Sequence, residues 1–227
     1  MSEGTVTNKP KTPSSARMIA TLGLVSMMSG VLIVFVAKGT EAGIKQNRLD
    51  FLHQAIFKVL PEAESSTTFV IQDNGFVPLA EGEQTDKDKV YAGYANGQLT
   101  GVAIEASGQG YQDVIRVLFG YDPVNQTIVG FTVLESKETP GLGDRIGKDP
   151  DFLANFDKLD VELGAENGKL AHQIAFVKNG EKTEPWQVEG ISGATISSRA
   201  VANMLDERTA QILPFVHDHL SELKEGK

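Results

Sequence analysis

Residues Met18 to Ala37 read MIATLGLVSMMSGVLIVFVA, 20 consecutive positions without a charge. A helix needs roughly 20 residues to cross the core of a bilayer. The apolar core of a cleaved secretory signal is shorter, about 7 to 15 residues. No small-x-small cleavage pattern precedes Lys38, so an uncleaved transmembrane helix is expected over 18–37. Beyond it Leu49, Leu52, Ile56, Val59 and Leu60 recur at helical spacing and stop at Pro61. That pattern predicts a helical connector over 38–66, leading into a single domain over 67–227.

From about Thr68 the period of the apolar positions drops from helical to alternating. TFVIQ (68–72), KVYAGYA (89–95) and LTGVAIEA (99–106) read as strands, the last two joined by Asn96-Gly97, a strong hairpin signal. DVIRVLFGYD and TIVGFTVLES form a second hairpin across Pro123 to Gln126. Asp149 caps and Pro150 opens a short helix running to about Phe156. Further strands are expected at VELG (161–164) and HQIAFVK (172–178). A final helix should start near Ser197, carry Val201, Met204, Leu205 and Ile212 inward, and break or kink at Pro214. Adjacent hairpins with helices at the ends predict an α+β domain with a mainly antiparallel sheet and flanking helices.

Charge adds an orientation. Residues 1–17 are polar and contain proline, as a disordered tail does. They carry +2 of a total of −9, leaving −11 on the rest. Lys9, Lys11 and Arg17 before the span balance Lys38, Lys45 and Arg48 after it, so counting basic residues alone does not orient the chain. The asymmetry favours a cytoplasmic tail and an acidic extracytoplasmic domain. An acidic chain is a poor nucleic-acid binder. With no cysteine it can form no disulfide, no thiolate-held iron–sulfur cluster and no cysteine nucleophile.

Common catalytic and nucleotide signatures are missing: no Walker loop, no His-Glu-x-x-His, no dinucleotide fingerprint. SGQGYQ at 107–112 reads as a sheet-connecting loop, His53 as a packing or surface histidine, and His217-Asp218-His219 as part of a polar C-terminal tail; no metal site is expected. Two segments offer more. In ESKETPGLGDRIG (135–147), Pro140-Gly141 pre-sets a tight turn. Gly141 and Gly143 flanking Leu142 would also let a flat ring approach the backbone. In GISGATISSRAVANML (190–205), Ser192 to Thr195 precede a helix. Hydroxyls there suit a helix cap, and a helix start with free amides equally suits a phosphate esterified to Thr195.

Ser-Gly-Ala-Thr at 192–195 with an acidic residue six positions before the threonine, and ETPGLGD at 138–144, resemble the FMN-binding domain family. Its members include the G subunit of the Rnf electron-transport complex and the C subunit of the sodium-translocating NADH:quinone oxidoreductase. The single N-terminal span before one domain matches too, and the chain length with ESKETPGLGDRIGKDPDFLANF is nearer the Rnf member. The resemblance implies FMN carried on Thr195 through a phosphoester, placed there from FAD by a flavin transferase. It implies that Ser192, Gly193 and Ala194 line the attachment site and that Glu138, Thr139, Pro140, Gly141, Leu142 and Gly143 contact the flavin. One departure is Glu189, where the family motif has Asp.

The implied role is a single-pass electron carrier of the cell inner membrane, with no acid–base site of its own. Its partners would be lipid and the other membrane and peripheral subunits of a translocase coupling ferredoxin and NAD electron transfer to ion movement. The sister quinone-reductase role is the first alternative. A non-redox anchored envelope or sensor protein, in which 190–205 is only a helix start, is the second.

Overall fold

The structure is a computed structural model describing residues 14–72, 74–80, 85, 87–164 and 169–225; most of the expected tail, residues 1–13, lies outside the described residues. It divides into two compact units, 1–49 and 50–227. The first unit is built on helix α1, Ser15–Val59, whose apolar stretch is long enough to cross a membrane and buries none of that stretch. Polar side chains within it are satisfied locally: the Thr21 hydroxyl donates to the Arg17 carbonyl at 2.9 Å and Thr40 to Val36 at 2.8 Å. Internal satisfaction of this kind is what an apolar surrounding requires.

The second unit is an α+β domain. Strands β1 (Ser65–Gln72), β2 (Gly75–Pro78), β3 (Lys89–Ala95), β4 (Gln98–Gln109), β5 (Val114–Asp122), β6 (Thr127–Glu135) and β7 (Leu159–Asp160) form one antiparallel sheet in the order β2-β1-β3-β4-β5-β6-β7. Helix α2 (Pro150–Leu153) follows a 3-10 turn at Gly143–Gly147 and leads into another at Ala154–Phe156. Strands β8 (Ala175–Val177) and β9 (Gln187–Glu189) pair in parallel. Helices α3 (Thr195–Asp218) and α4 (Leu220–Glu225) end the chain.

Both expected hairpins form. Asn96 and Gly97 have φ of 50° and 74°, as a type I′ turn needs, and the β5–β6 turn ends at Gln126 with φ 52°. Alternation then sorts the strands into two cores. Val102, Ile104, Val117, Phe119 and Tyr121 face α3, α2 and the following loops, while Tyr91, Ala103 and Leu118 face Ala55, Ile56, Val59 and Leu60. On this second face four glycines cross the sheet as two offset pairs, Gly93 opposite Gly101 and Gly120 opposite Gly130, with Gly120 opposite Ala103 between them. A Cβ at Gly120 or Gly130 would strike the Val59 backbone, and one at Gly93 or Gly101 would strike the Leu60 side chain. The stripe thus lets residues 55–60 lie directly on the strands.

Several expectations need correcting. The last helix begins at Thr195 and passes through Pro214 to Asp218. Proline costs an interior helix the bond to the carbonyl four residues back, here that of exposed Ala210, while buried Ile212, Leu213 and Val216 hold the helix to the core. The C-terminal segment is not a free polar tail. His219 stacks on Phe215 at 4.2 Å, Leu223 is fully buried, and the Glu222 carboxylate accepts from the Phe76 amide at 2.6 Å. The strand expected at 161–164 lies earlier, at β7, with only a single bridge between Leu163 and Leu170. Strands β2 and β9 were not expected from the pattern.

Candidate functional site

Two turns of the same construction face one groove. In the first, Thr139-Pro140-Gly141-Leu142, the Leu142 amide donates to the Thr139 carbonyl at 3.1 Å and Gly141 has φ 77°. In the second, Ile191-Ser192-Gly193-Ala194, the Ala194 amide donates to Ile191 at 3.0 Å and Gly193 has φ 86°. Each places glycine where a type II turn needs positive φ. The second turn delivers the chain into α3, with Thr195 as its first residue.

The hydroxyl cap expected at this helix start is not there. The cap position is taken by Ala194, whose methyl cannot accept a hydrogen bond, and Thr195 already has helical backbone. The first amides of a helix have no intrahelical partner, so α3 presents those of its first turn to the groove uncapped. Ser198 does other work: buried, it accepts from the Ile191 amide at 3.1 Å and donates to the Ala194 carbonyl at 2.9 Å, pinning the second turn from beneath.

The groove holds about 330 Å³ and is lined by Tyr111, Glu138, Thr139, Leu142 and Gly143 on one side and Gly193 to Ser197 on the other. Thr195 is exposed in it. So are three large apolar side chains, Tyr111 (68%), Leu142 (53%) and Ile196 (56%). The floor is polar and closed. Glu138, only 5% exposed, accepts from the Gln112 amide at 2.9 Å and from the Ser197 hydroxyl, with the Tyr111 and Asp113 amides also directed at it. Burial alone would push this carboxyl up; the hydroxyl and the amides outweigh it and hold it below the usual range. A Cβ at Gly110 or Gly143 would collide with the carboxylate, so both glycines are needed for the chain to close around it. Thr139 Oγ1 donates to Gln112 Oε1 at 3.1 Å, joining the same two loops.

Behind the second turn, Arg145 donates to the Ser192 carbonyl at 3.1 Å and to Asp149 at 2.5 Å. Burial pushes the Asp149 carboxyl up, but Arg145 and the Phe152 amide hold it below its ordinary value. Asn155 braces the approach by bonding both backbone groups of Glu189. The Glu189 side chain accepts from the Gly180 amide and so is turned to the β8–β9 loop.

Of the residues singled out in the sequence, Glu138, Thr139, Leu142, Gly143, Gly193, Ala194 and Thr195 line the groove. Pro140, Gly141 and Ser192 do not; the first two build the turn and Ser192 faces the depression beside Arg145. Tyr111, Ile196 and Ser197 were missed. Tyr111 lay in the segment read as a plain loop, where an aromatic between glycine and glutamine was the available signal.

The G subunit of the ion-translocating oxidoreductase complex of Methanosarcina acetivorans is 30% identical to this chain over 192 residues, 83% of this chain and 89% of its own. The chain belongs to this G-subunit family. The same-named protein of Cereibacter sphaeroides is 30% identical over 81% of this chain and 78% of its own. An FMN-binding domain matches residues 110–208, which take in every residue lining the groove. Shewanella oneidensis NqrC shares the fold at a TM-score of 0.60 and 20% identity, over 79% of this chain and 99% of its own. The C subunit of the Na⁺-translocating NADH-quinone reductase from Parabacteroides distasonis does so at 0.56 and 22%, over 80% and 96%. As a member of the G-subunit family, this chain is a membrane-linked FMN protein of electron transport.

Proposed function

We propose that FMN is carried on Thr195 as a phosphoester and that the chain is the electron-carrying G subunit of an Rnf-type complex coupling ferredoxin and NAD electron transfer to ion translocation. The observation that carries this reading is the pairing of an exposed Thr195 with uncapped amides at the start of a 24-residue helix. Such a helix start binds phosphate through its free N–H groups and its dipole. A groove of about 330 Å³ is at the small end for a ligand site, roughly 300–1,000 Å³. A flavin would be partly covered by Leu142, Ile196 and Tyr111 rather than enclosed, and a covalent tether makes up the deficit in contact. The bound flavin supplies the redox chemistry; the protein's part is to hold, orient and tune it.

The resemblance to the FMN-binding domain family supplies the maturation step. The Thr195 hydroxyl would attack the FMN phosphorus of FAD, the pyrophosphate bond would break with AMP as leaving group, and the hydroxyl proton would pass to the flavin transferase. Nothing lies within 4 Å of the position a Cβ at Gly193 would take, which leaves room for that enzyme beside Thr195. We assign 1–17 to a cytoplasmic tail, 18–37 to the span, 38–66 to a connector whose residues from Asp50 onward pack with the domain, and 67–227 to the extracytoplasmic domain itself. The remaining members of the complex are its partners.

The test is in-gel flavin fluorescence after denaturation, on chain co-expressed with a flavin transferase. Wild type should fluoresce, Thr195→Ala should not, and Thr195→Ser should retain part of the signal. Fluorescence surviving Thr195→Ala would sink the attachment. Co-purifying subunits test the Rnf-type assembly, and an unlabelled wild type would count against the covalent attachment.

A further inference from the structure

We infer that Glu138 is a fixed negative charge beneath the flavin groove that holds the reduction potential of the bound flavin down; this rests on the flavin occupying the groove at Thr195. The carboxylate is buried at the groove floor and satisfied only by neutral donors: the Ser197 hydroxyl and the amides of Tyr111, Gln112 and Asp113. Such donors replace the water lost on burial but leave the unit of charge in place. No cation pairs with Glu138 among the described residues. The cations of the flanking loops are committed elsewhere, Lys137 to Asp113 at 2.6 Å and Arg145 to Asp149.

The site is built for that charge. Gly110 and Gly143 lie against the two carboxylate oxygens, where any side chain would collide. The loop after β6, which carries it, the β4–β5 loop and the start of α3 all converge on it. Its charge would act on a flavin in the groove through space. Reduction by two electrons and one proton leaves the ring one unit more negative, and a nearby carboxylate in a poorly screened site opposes that change.

The test uses full-length protein in detergent, loaded by co-expression with a flavin transferase and free of other subunits. The flavin midpoint potential is read from absorbance in a dye-coupled redox titration. Glu138→Gln keeps the size of the side chain and removes the charge. It should favour the reduced flavin about tenfold, a rise of about 30 mV for a two-electron couple. Ser197→Ala keeps the charge and strips one donor, so the potential should fall. An unchanged potential in loaded Glu138→Gln, or a rise in both variants, overturns the inference. If Glu138→Gln does not load, Ser197→Ala decides alone: a fall supports the fixed charge and anything else overturns it. Loading is scored by fluorescence before each titration, so loss of the attachment at Thr195 is told apart from a failure of tuning.

Discussion

The side-chain amide of Asn155 holds Glu189 by both of its backbone groups, Nδ2 donating to the carbonyl at 3.1 Å and Oδ1 accepting from the N–H at 3.0 Å. Oδ1 also receives the Lys182 ammonium at 3.0 Å, and a further bond from Nδ2 to the Phe152 carbonyl ties α2 to the same point. One buried side chain thus fixes the strand end from which the attachment turn departs. Asn155→Ala leaves those groups unpartnered, and a buried unsatisfied polar group costs about 1–3 kcal/mol. The urea midpoint should fall accordingly, and flavin labelling of Thr195 should slow. Asn155→Asp keeps the acceptor but turns a carboxylate oxygen toward the Phe152 and Glu189 carbonyls, so it should not restore the loss.

Two glycine substitutions should fail for different reasons. Gly120→Ala drives a methyl into the Val59 carbonyl, and overpacking of this kind costs about 1–3 kcal/mol. Gly141→Ala meets no neighbour but forces a left-handed backbone on an L residue, about 1–2 kcal/mol. Denaturant melts should show both losses. Replacing Leu60 by alanine should relieve little of the Gly120 defect, because the collision there is chiefly with backbone.

Glu138 also predicts a pH dependence. Its folded pKa lies below the ordinary value of 4.5, so its stabilising contribution is fully present above that value and is lost as pH falls through the folded pKa. Asp206 acts in the opposite sense, since burial raises its carboxyl. The difference between wild type and Glu138→Gln isolates the first effect. Urea midpoints measured from pH 7 downward should converge below about pH 4.5; a gap that stays constant across the range contradicts it.

Tyr121 offers a gain. Its hydroxyl is the one buried side-chain polar atom without a partner among the described residues, and burial pushes its pKa up to about 12. Tyr121→Phe removes an unpaired group and keeps the ring. Stability should be unchanged or higher by up to about 1 kcal/mol, read as a thermal or urea midpoint.

The sheet was legible because its central strands alternate and its turns carry residues that tolerate positive φ, as at Asn96-Gly97. Strand β2 was hidden: four residues ending in Pro78 carry too little pattern, and they are held by Glu222 from the far end of the chain. The course of α3 through Pro214 was equally invisible, because packing by Leu213 and Val216 overrides a local propensity. At the groove, Thr195 and Leu142 stood out through their neighbours in the chain. Tyr111 and Ser197 did not, since what brings them together is Glu138, a single carboxylate shared by three separate segments. Even Glu138 was noticed for a motif and not for the bonds that occupy it.

The glycine stripe decides where the chain can be cut. A soluble fragment starting at residue 67 would shed Ala55, Ile56, Val59 and Leu60 and leave a bare channel of backbone across four strands, with Tyr91, Ala103 and Leu118 open to water. Such a fragment should aggregate or recruit a foreign helix into the channel. One starting at Asp50 keeps its own cover, so the practical boundary between anchor and domain falls inside α1 rather than after it.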